Sequence, residues 1–100
     1  MSNQNIPYEE LVKQLRFHFD QFDDSVYAYV WKVFDDRVTY KYMWSLSHYC
    51  RLEGEADVYI PGGGRRFAQT ESQAINQLME YMERFESAVY IQEIIRRKLT

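Results

Sequence analysis

Residues 25–50 read SVYAYVWKVFDDRVTYKYMWSLSHYC, and this stretch decides the fold. It contains two runs rich in Val, Tyr and Trp, residue types that are enriched in strands, and Asp35-Asp36 separates them. Successive residues of a strand point to opposite faces, so each run divides into an odd-numbered and an even-numbered set. The pattern predicts a β-hairpin that turns at the two aspartates.

The length of the connection decides which aromatic rings share a face of this hairpin. An even loop, either residues 35–36 or residues 34–37, pairs Trp31 with Tyr40 and Tyr29 with Tyr42. That register gathers six rings on one side, namely Tyr27, Tyr29, Trp31, Tyr40, Tyr42 and Trp44. A loop of residues 35–37 would divide the rings between the two faces and bury Lys41 beside Trp31, because a one-residue slip exchanges the faces. We therefore predict the even loop.

Two interpretations of the six rings follow from this register. In the first, the rings form the core and the helices pack over them. In the second, the small residues Val26, Ala28 and Val30 face the helices, and the rings form an exposed docking surface. Tyr and Trp dominate the energetics of many protein interfaces, so the second interpretation makes the six rings candidate partner-binding residues.

Composition excludes several classes of protein. The 100 residues suffice for a single domain with one core, and an aromatic content of 17% argues against disorder. The N-terminus lacks the pattern of a signal peptide, and no apolar run approaches the ~20 residues of a membrane span, so no membrane association is expected. Residues 1–6 are predicted to be a flexible leader. The single cysteine, Cys50, cannot form an internal disulfide, which favours the reducing cytoplasm.

The charge of −3 is unevenly distributed. Residues 1–60 hold six basic and ten acidic side chains, a balance of −4, whereas residues 61–100 hold six basic and five acidic ones, a balance of +1. A general nucleic-acid binder is normally basic, so nucleic acid is disfavoured as the partner. The acidic part instead predicts a protein partner with a basic surface.

Apolar residues at helical spacing precede the hairpin. Pro7 suits the first turn of a helix, and Glu9 and Glu10 would complement its positive end. The predicted buried stripe consists of Tyr8, Leu11, Leu15, Phe19 and Phe22. Phe17 lies off this stripe, either as a second contact within the fold or as an exposed anchor for a partner.

A short strand and a glycine-rich loop are predicted after the hairpin. Residues 55–60 are predicted to form the third strand, which Pro61 ends, and residues 62–66 form the loop. Glycines followed by Arg65 and Arg66 and then by a helix could hold an anion or nucleic acid. The Lys-Ser/Thr pair that completes a phosphate loop is missing, so a connector is the preferred interpretation.

Two helices are predicted at the C-terminal end. Thr70 and Gln73 form a capping-box pattern, which predicts a helix that begins near Glu71. Its predicted buried stripe is Ile75, Leu78, Met82, Phe85 and Val89. The apolar face changes beyond this point, so we predict a break between residues 86 and 89 and a final helix up to the basic residues 96–98. That helix would close the core or swap onto a second copy, forming a homodimer.

No catalytic or cofactor signature is present. His48 and Cys50 lie on one face of a strand, but a nucleophile pair also needs an orienting third group and a pocket. One cysteine and two histidines leave few ligands for a zinc site. We therefore predict a protein that is not an enzyme and binds neither a metal nor a cofactor.

These elements predict an α+β fold, a three-stranded antiparallel sheet with helices packed on one face, in the order α-β-β-β-α-α within a single domain of residues 1–100. The order resembles, in topology alone, double-stranded-RNA-binding domains across residues 7–85. Those domains hold phosphates with lysines at the start of the helix that follows the glycine-rich turn. The matching residues 70–73 read TESQ, and they would repel phosphates rather than hold them. The resemblance implies nucleic-acid binding through Arg65 and Arg66 as the alternative function.

The predicted function is that of a small protein-interaction module, an adaptor or an inhibitor. The chain is similar in size and architecture to several small phage-encoded inhibitors of bacterial defence, which implies a phage or mobile-element origin for such an inhibitor. Its docking surface would be the aromatic face, aided by Phe17 and by the acidic N-terminal part.

Overall fold

A four-stranded antiparallel sheet, a two-stranded ribbon and one α-helix make up the computed structural model, which describes residues 6–94. The elements are β1 (Tyr8–Phe17), β2 (Val26–Phe34), β3 (Tyr42–Leu46), β4 (His48–Leu52), a 3₁₀ turn (Gly63–Arg66), β5 (Phe67–Ala68), α1 (Glu71–Glu86) and β6 (Ala88–Glu93). The strand order of the sheet is β1-β2-β3-β5, and the ribbon pairs β4 with β6.

The predicted α+β class and antiparallel sheet are confirmed, and the helix packs on one face of that sheet. The predicted number and order of elements are wrong. The sheet has four strands rather than three, and the described residues contain one α-helix in the order β-β-β-β-β-α-β.

The N-terminal segment forms strand β1, so the helix predicted from Pro7 is wrong. β1 pairs antiparallel with β2 and contains a bulge between Leu11 and Lys13. A bulge inserts one extra residue, here Val12, which reverses the alternation of faces along the strand. Alternation is therefore broken in mid-strand, and the spacing of the apolar residues resembles that of a helix.

The predicted hairpin exists, but its register is wrong. Trp31 lies opposite Met43 and Val30 lies opposite Trp44. The connection between β2 and β3 runs through residues 35–41, so it is odd in length and longer than predicted. The observed register does not bury Lys41 beside Trp31, because Lys41 O accepts a hydrogen bond from Val33 N (2.8 Å) and Lys41 is exposed.

The core lies between α1 and the even-numbered face of β2. Val26, Ala28 and Val30 are each 0% exposed, and they pack in one cluster with residues of α1 that include Leu78 and Phe85. Fully burying a Val, Leu or Phe side chain contributes roughly 1.5–3 kcal/mol. We call this side of the sheet the covered face.

The third strand predicted at residues 55–60 is also wrong. Only Tyr59 makes a bridge there, to Cys50. The strand that follows the hairpin is instead β4, which continues β3 beyond Ser47 and pairs with β6. A turn follows β4, and Gly54 within it has φ = +91°, a conformation that residues with a Cβ rarely adopt.

Helix α1 begins where the capping box predicts. Thr70 Oγ1 accepts a hydrogen bond from Gln73 N (3.1 Å), and Gln73 Oε1 accepts one from Gln69 N (2.8 Å). No helix within residues 6–94 combines the length and the apolarity needed to cross a membrane. The helix ends at Glu86, as the predicted break requires.

The segment after this break is strand β6, so the predicted final helix is wrong for residues 88–93. Pairing with β4 explains the change of apolar face, because Ala88 and Ile91 lie opposite Leu52 and Cys50. Val89, placed in the helical stripe by the sequence, is 49% exposed. Residues 95–100, which include the basic residues and the predicted swap onto a second copy, lie outside the described residues.

Two adjacent residues of α1 test the position of the core. Leu78 is 0% exposed and Met79 is 41% exposed. We expect Leu78→Ala to lower the free energy of unfolding by about 2–5 kcal/mol, because it leaves a cavity under the sheet. The matched variant Met79→Ala should change it by less than about 0.5 kcal/mol. Urea denaturation followed by circular dichroism measures both, and equal effects would contradict the packing described here.

Candidate functional site: the open face of the sheet

Within residues 6–94, helix α1 covers one face of the four-stranded sheet and no helix covers the other, which we call the open face. Cross-strand register assigns side chains to it, because opposite residues in paired strands point the same way. Its central members are Tyr27, Tyr29, Trp31, Met43, Ser45 and Phe67. Strand β1 adds Glu9, Leu11, Gln14 and Arg16.

The six predicted partner-binding rings are divided between the two faces. Tyr27, Tyr29 and Trp31 lie on the open face and are half-buried. Tyr42 and Trp44 lie on the covered face, opposite Lys32 and Val30, and Trp44 is 2% exposed. The common six-ring face is therefore wrong, because the odd connection reverses β3 relative to β2.

The sixth ring reaches the open face by a different route. Tyr40 lies in the connection between β2 and β3 and stacks on Phe67 of β5, with 4.0 Å between ring centroids. Phe67 lies opposite Met43, which in turn lies opposite Trp31. The open face thus gains an aromatic residue from β5 that the sequence interpretation did not include, because a two-residue strand has no detectable periodicity.

The rings of the open face are held in place by contacts within the fold. Trp31 Nε1 donates a hydrogen bond to Ser45 Oγ (3.0 Å), and the rings of Tyr29 and Trp31 lie 6.4 Å apart. Tyr27 N donates to Ser47 Oγ (2.8 Å) and fixes the first residues of β2. Side chains ordered before binding lose little entropy when a partner docks.

Phe17 belongs to the covered face. It lies opposite Val26, is half-buried against the core, and stacks with Phe19 at 6.5 Å between ring centroids. This placement favours the contact within the fold over the exposed anchor.

Both ends of β2 carry carboxylates. Asp23 and Asp24 precede the strand and are exposed, and Asp35 and Asp36 follow it. Arg37 hydrogen-bonds to Asp35 through its side chain and its backbone N–H, which holds the pKa of that carboxyl below its usual value. The charge of Asp35 is thereby offset locally. The other three aspartates place exposed negative charge at the two ends of β2.

The two arginines of the glycine-rich loop line separate cavities. Arg65 borders a cleft of about 440 Å³ between the 3₁₀ turn and α1, whereas Arg66 borders a pocket of about 230 Å³ beside Tyr49 and Ile94. Nucleic-acid binding through this pair stays a prediction.

The cleft beside Arg65 is organised by an ion pair and a stacked ring. Arg84 Nη2 lies 2.8 Å from Glu55 Oε1 and 2.9 Å from Glu55 Oε2, and its guanidinium lies 4.6 Å from the centroid of the Tyr59 ring. The walls also include Trp44, whose Nε1 donates to Gln77 Oε1 (3.1 Å). The Glu55–Arg84 pair and the Tyr59 ring hold residues 55–61 against α1, and the Trp44–Gln77 bond joins β3 to the same helix.

Tyr81 connects the same segments from inside the core. Its hydroxyl donates to the carbonyl of Tyr59 and accepts a hydrogen bond from Cys50 N (3.1 Å). Burial raises the pKa of Tyr81, so the hydroxyl stays protonated and can donate. The sequence gives one signal for it: Tyr81 lies three residues after Leu78 and four before Phe85, the spacing of residues on one face of a helix.

Among residues 6–94, no hydrogen bond joins His48 to Cys50. Cys50 is 0% exposed, and burial raises the pKa of its thiol, which opposes the thiolate. His48 Nδ1 instead lies 2.7 Å from Ser47 Oγ. Within residues 6–94, no three His, Cys, Asp or Glu side chains come together in a way that could hold a metal ion.

Comparison with protein-family models, with curated proteins and with solved structures gave no match of the chain to any of them.

Removing the Tyr81 hydroxyl tests the internal link. We expect Tyr81→Phe to lower the free energy of unfolding by about 1–3 kcal/mol, because it leaves two backbone groups unpaired, the Cys50 N–H and the Tyr59 carbonyl. Urea denaturation measures the change. Tyr90→Phe is the matched control, since Tyr90 is 46% exposed, and a loss as large in the control would contradict the assignment.

Acid should weaken the ion pair of the cleft. The Leu52 N–H and the Arg84 side chain both hydrogen-bond to Glu55 and hold its pKa below the ordinary value of 4.5. A carboxyl with a lowered pKa stabilises the fold above its unfolded value and loses this effect as the pH falls through its folded value. From about pH 7 to about pH 3, the free energy of unfolding should therefore fall more in the wild type than in Glu55→Gln. Parallel urea titrations at the two pH values would expose an error here if both proteins lost the same amount.

Proposed function

We propose that this chain is a small, non-enzymatic protein-interaction module of the cytoplasm, an adaptor or an inhibitor, which docks a basic protein on the open face. One observation carries the proposal. A row of half-buried aromatic side chains lies on a sheet face that no helix covers within residues 6–94, while α1 already seals the opposite face.

The chemistry of these rings supports docking. Tyr and Trp combine a large apolar surface with a polar tip, and both are enriched where binding energy is concentrated. The rows of β2 and β3 place Tyr29 and Trp31 at the centre, with Met43 and the stacked Tyr40 and Phe67 beside them. Met adapts its shape to a partner, whereas the fixed rings give the surface a defined form.

The charge at the ends of β2 supports a basic partner. Exposed Asp23, Asp24 and Asp36 lie at the two ends of β2, and the balance of residues 1–60 is −4 from six basic and ten acidic side chains. Complementary charge at the rim of an interface raises the rate of association and disfavours partners of the wrong sign.

The state of the candidate nucleophile supports a binding role over catalysis. Cys50 is sealed and its thiol is held neutral, and His48 bonds to its neighbour Ser47. In the cleft, the Gln77 amide bonds to Trp44 and Phe67 and Arg84 Nη2 bonds to Glu55, whereas Arg84 Nε has no partner among the described residues.

The two faces of the sheet offer a matched test of docking. We expect Tyr27→Ser combined with Tyr29→Ser to lower the affinity for the docking partner by about 30-fold or more. This is the effect of losing one strong hot spot of about 2 kcal/mol. Tyr42→Ser, on the covered face, should lower stability but leave the affinity of the folded protein unchanged. The immobilised proteins are exposed to a native cell lysate, captured proteins are identified by mass spectrometry, and their affinities are measured by calorimetry.

Circular dichroism of each variant confirms that it is folded before binding is compared. A partner lost in the open-face variant and retained by Tyr42→Ser supports the proposal. A partner retained equally by all of them, or lost equally, would refute docking on the open face.

A further inference from the structure

Strand β1 forms an edge of the sheet, and its outer side is unpaired within residues 6–94. Ten residues make it the longest strand described, and Tyr8, Leu11 and Val12 on it are 56%, 43% and 37% exposed. A long exposed edge of this kind is a template for pairing with another strand.

Hydrogen bonds on the other side of β2 show which backbone groups of β1 are free. Val33 N donates to Lys41 O (2.8 Å), and Tyr27 O accepts from Ser47 N (2.9 Å). The odd-numbered residues of β2 therefore direct their backbone groups away from β1. The β1 residues opposite them must direct their own N–H and C=O groups outward, and these are Glu9, Leu11, Gln14 and Arg16.

These four residues can pair with the same four residues of a second copy when the two β1 strands run antiparallel. Placing Glu9 opposite Arg16 of a second copy also places Leu11 opposite the second Gln14. The arrangement then repeats by two-fold symmetry. Every outward backbone group meets an outward group, as a hydrogen-bonded antiparallel pair requires.

The bulge also places the side chains of the paired residues on the same face of the sheet. Glu9 and Arg16 lie seven positions apart, an odd step, and would lie on opposite faces of a regular strand. The extra residue at Val12 reverses the alternation, so both lie on the open face, opposite Val33 and Tyr27. In the paired strands, Glu9 of one copy and Arg16 of the other therefore lie on the same face of the joined sheet.

Charge distinguishes this self-pairing from other arrangements. The first half of β1 carries Glu9 and Glu10, and the second half carries Lys13 and Arg16. Antiparallel pairing brings acidic halves to basic halves, whereas parallel pairing would bring like charges together. Lys13 pairs with Glu71 of α1, but the ion pairs found within residues 6–94 include neither Glu9 nor Arg16.

We propose that two copies of this chain form a symmetric dimer through antiparallel pairing of their β1 strands, with Glu9 of each copy opposite Arg16 of the other. The two sheets become one continuous sheet of twice the width. The open faces join into one surface, and Tyr8 of each copy, which stacks on Phe34, is brought opposite the second Phe17 on the covered side. The dimer does not depend on the identity of any docking partner.

Charge reversal tests both the dimer and its register. The molar mass of the wild type from sedimentation should be twice the chain mass of 12.2 kDa. Glu9→Arg alone and Arg16→Glu alone each create two like-charge pairs across the two-fold axis. Each should weaken dimerisation by about tenfold or more, because favourable cross-strand pairs become repulsive ones. Analytical ultracentrifugation over a dilution series measures the effect.

Mixing the two single variants separates pairing from folding. The Glu9→Arg chain presents two arginines and the Arg16→Glu chain presents two glutamates, so an equimolar mixture should form a heterodimer as tight as the wild-type dimer. The double variant Glu9→Arg/Arg16→Glu should likewise regain its homodimer. A wild type that stays monomeric at every concentration, single variants that dimerise normally, or a mixture that stays monomeric would each overturn the proposal.

Discussion

The close packing of α1 on Val26, Ala28 and Val30 is the constraint from which the remaining structure follows. These side chains are small, so the helix lies close to the sheet and its large residues, among them Leu78 and Phe85, fill the space. A helix of this length extends about 24 Å and covers one face of a narrow sheet. The second face therefore has to be stabilised by its own side chains, which accounts for its rings, its Trp31–Ser45 hydrogen bond and the stacking of Tyr40 on Phe67.

A second set of contacts ties the irregular part of the chain to that helix. Residues 55–61 have no regular strand of their own, and they are held by Tyr81 and Arg84, one helical turn apart on the same side of α1. The Glu55 carboxylate serves the Leu52 N–H and the Arg84 guanidinium at once. Removing one member leaves the others unpaired in a partly buried place, so the loop and the helix behave as a unit.

The sequence predicts some elements of this fold well and others poorly, for reasons that the particular residues explain. The helix from Glu71 to Glu86 is found because its start carries a capping signal and its stripe is continuous. Strand β1 is missed because the bulge at Val12 removes the alternation on which recognition of a strand depends. The hairpin is found, but its register depends on a seven-residue connection, residues 35–41, whose length no local pattern marks.

In the candidate site, the predicted placement of the rings on one uncovered face is correct for β2 and wrong for β3. Tyr27, Tyr29 and Trp31 fall on an uncovered face, as the docking interpretation requires, because their alternation with Val26, Ala28 and Val30 is strict. Tyr42 and Trp44 fall on the other face. Alternation along β3 shows which of its residues share a side, but it does not show whether that side coincides with the odd-numbered or the even-numbered face of β2. Contacts between distant segments, such as Tyr81 with Tyr59, have no signature in the order of residues.

The sealed thiol of Cys50 has a practical consequence. A thiol with no exposed surface and a raised pKa presents almost no thiolate to an alkylating reagent, so maleimides and nitroxide reagents should leave the native protein unmodified. A cysteine introduced at an exposed position would then be the one reactive group among residues 6–94, since Cys50 is the only cysteine of the chain. Fluorophores and spin probes can thus be attached at chosen places without first replacing a residue of the core.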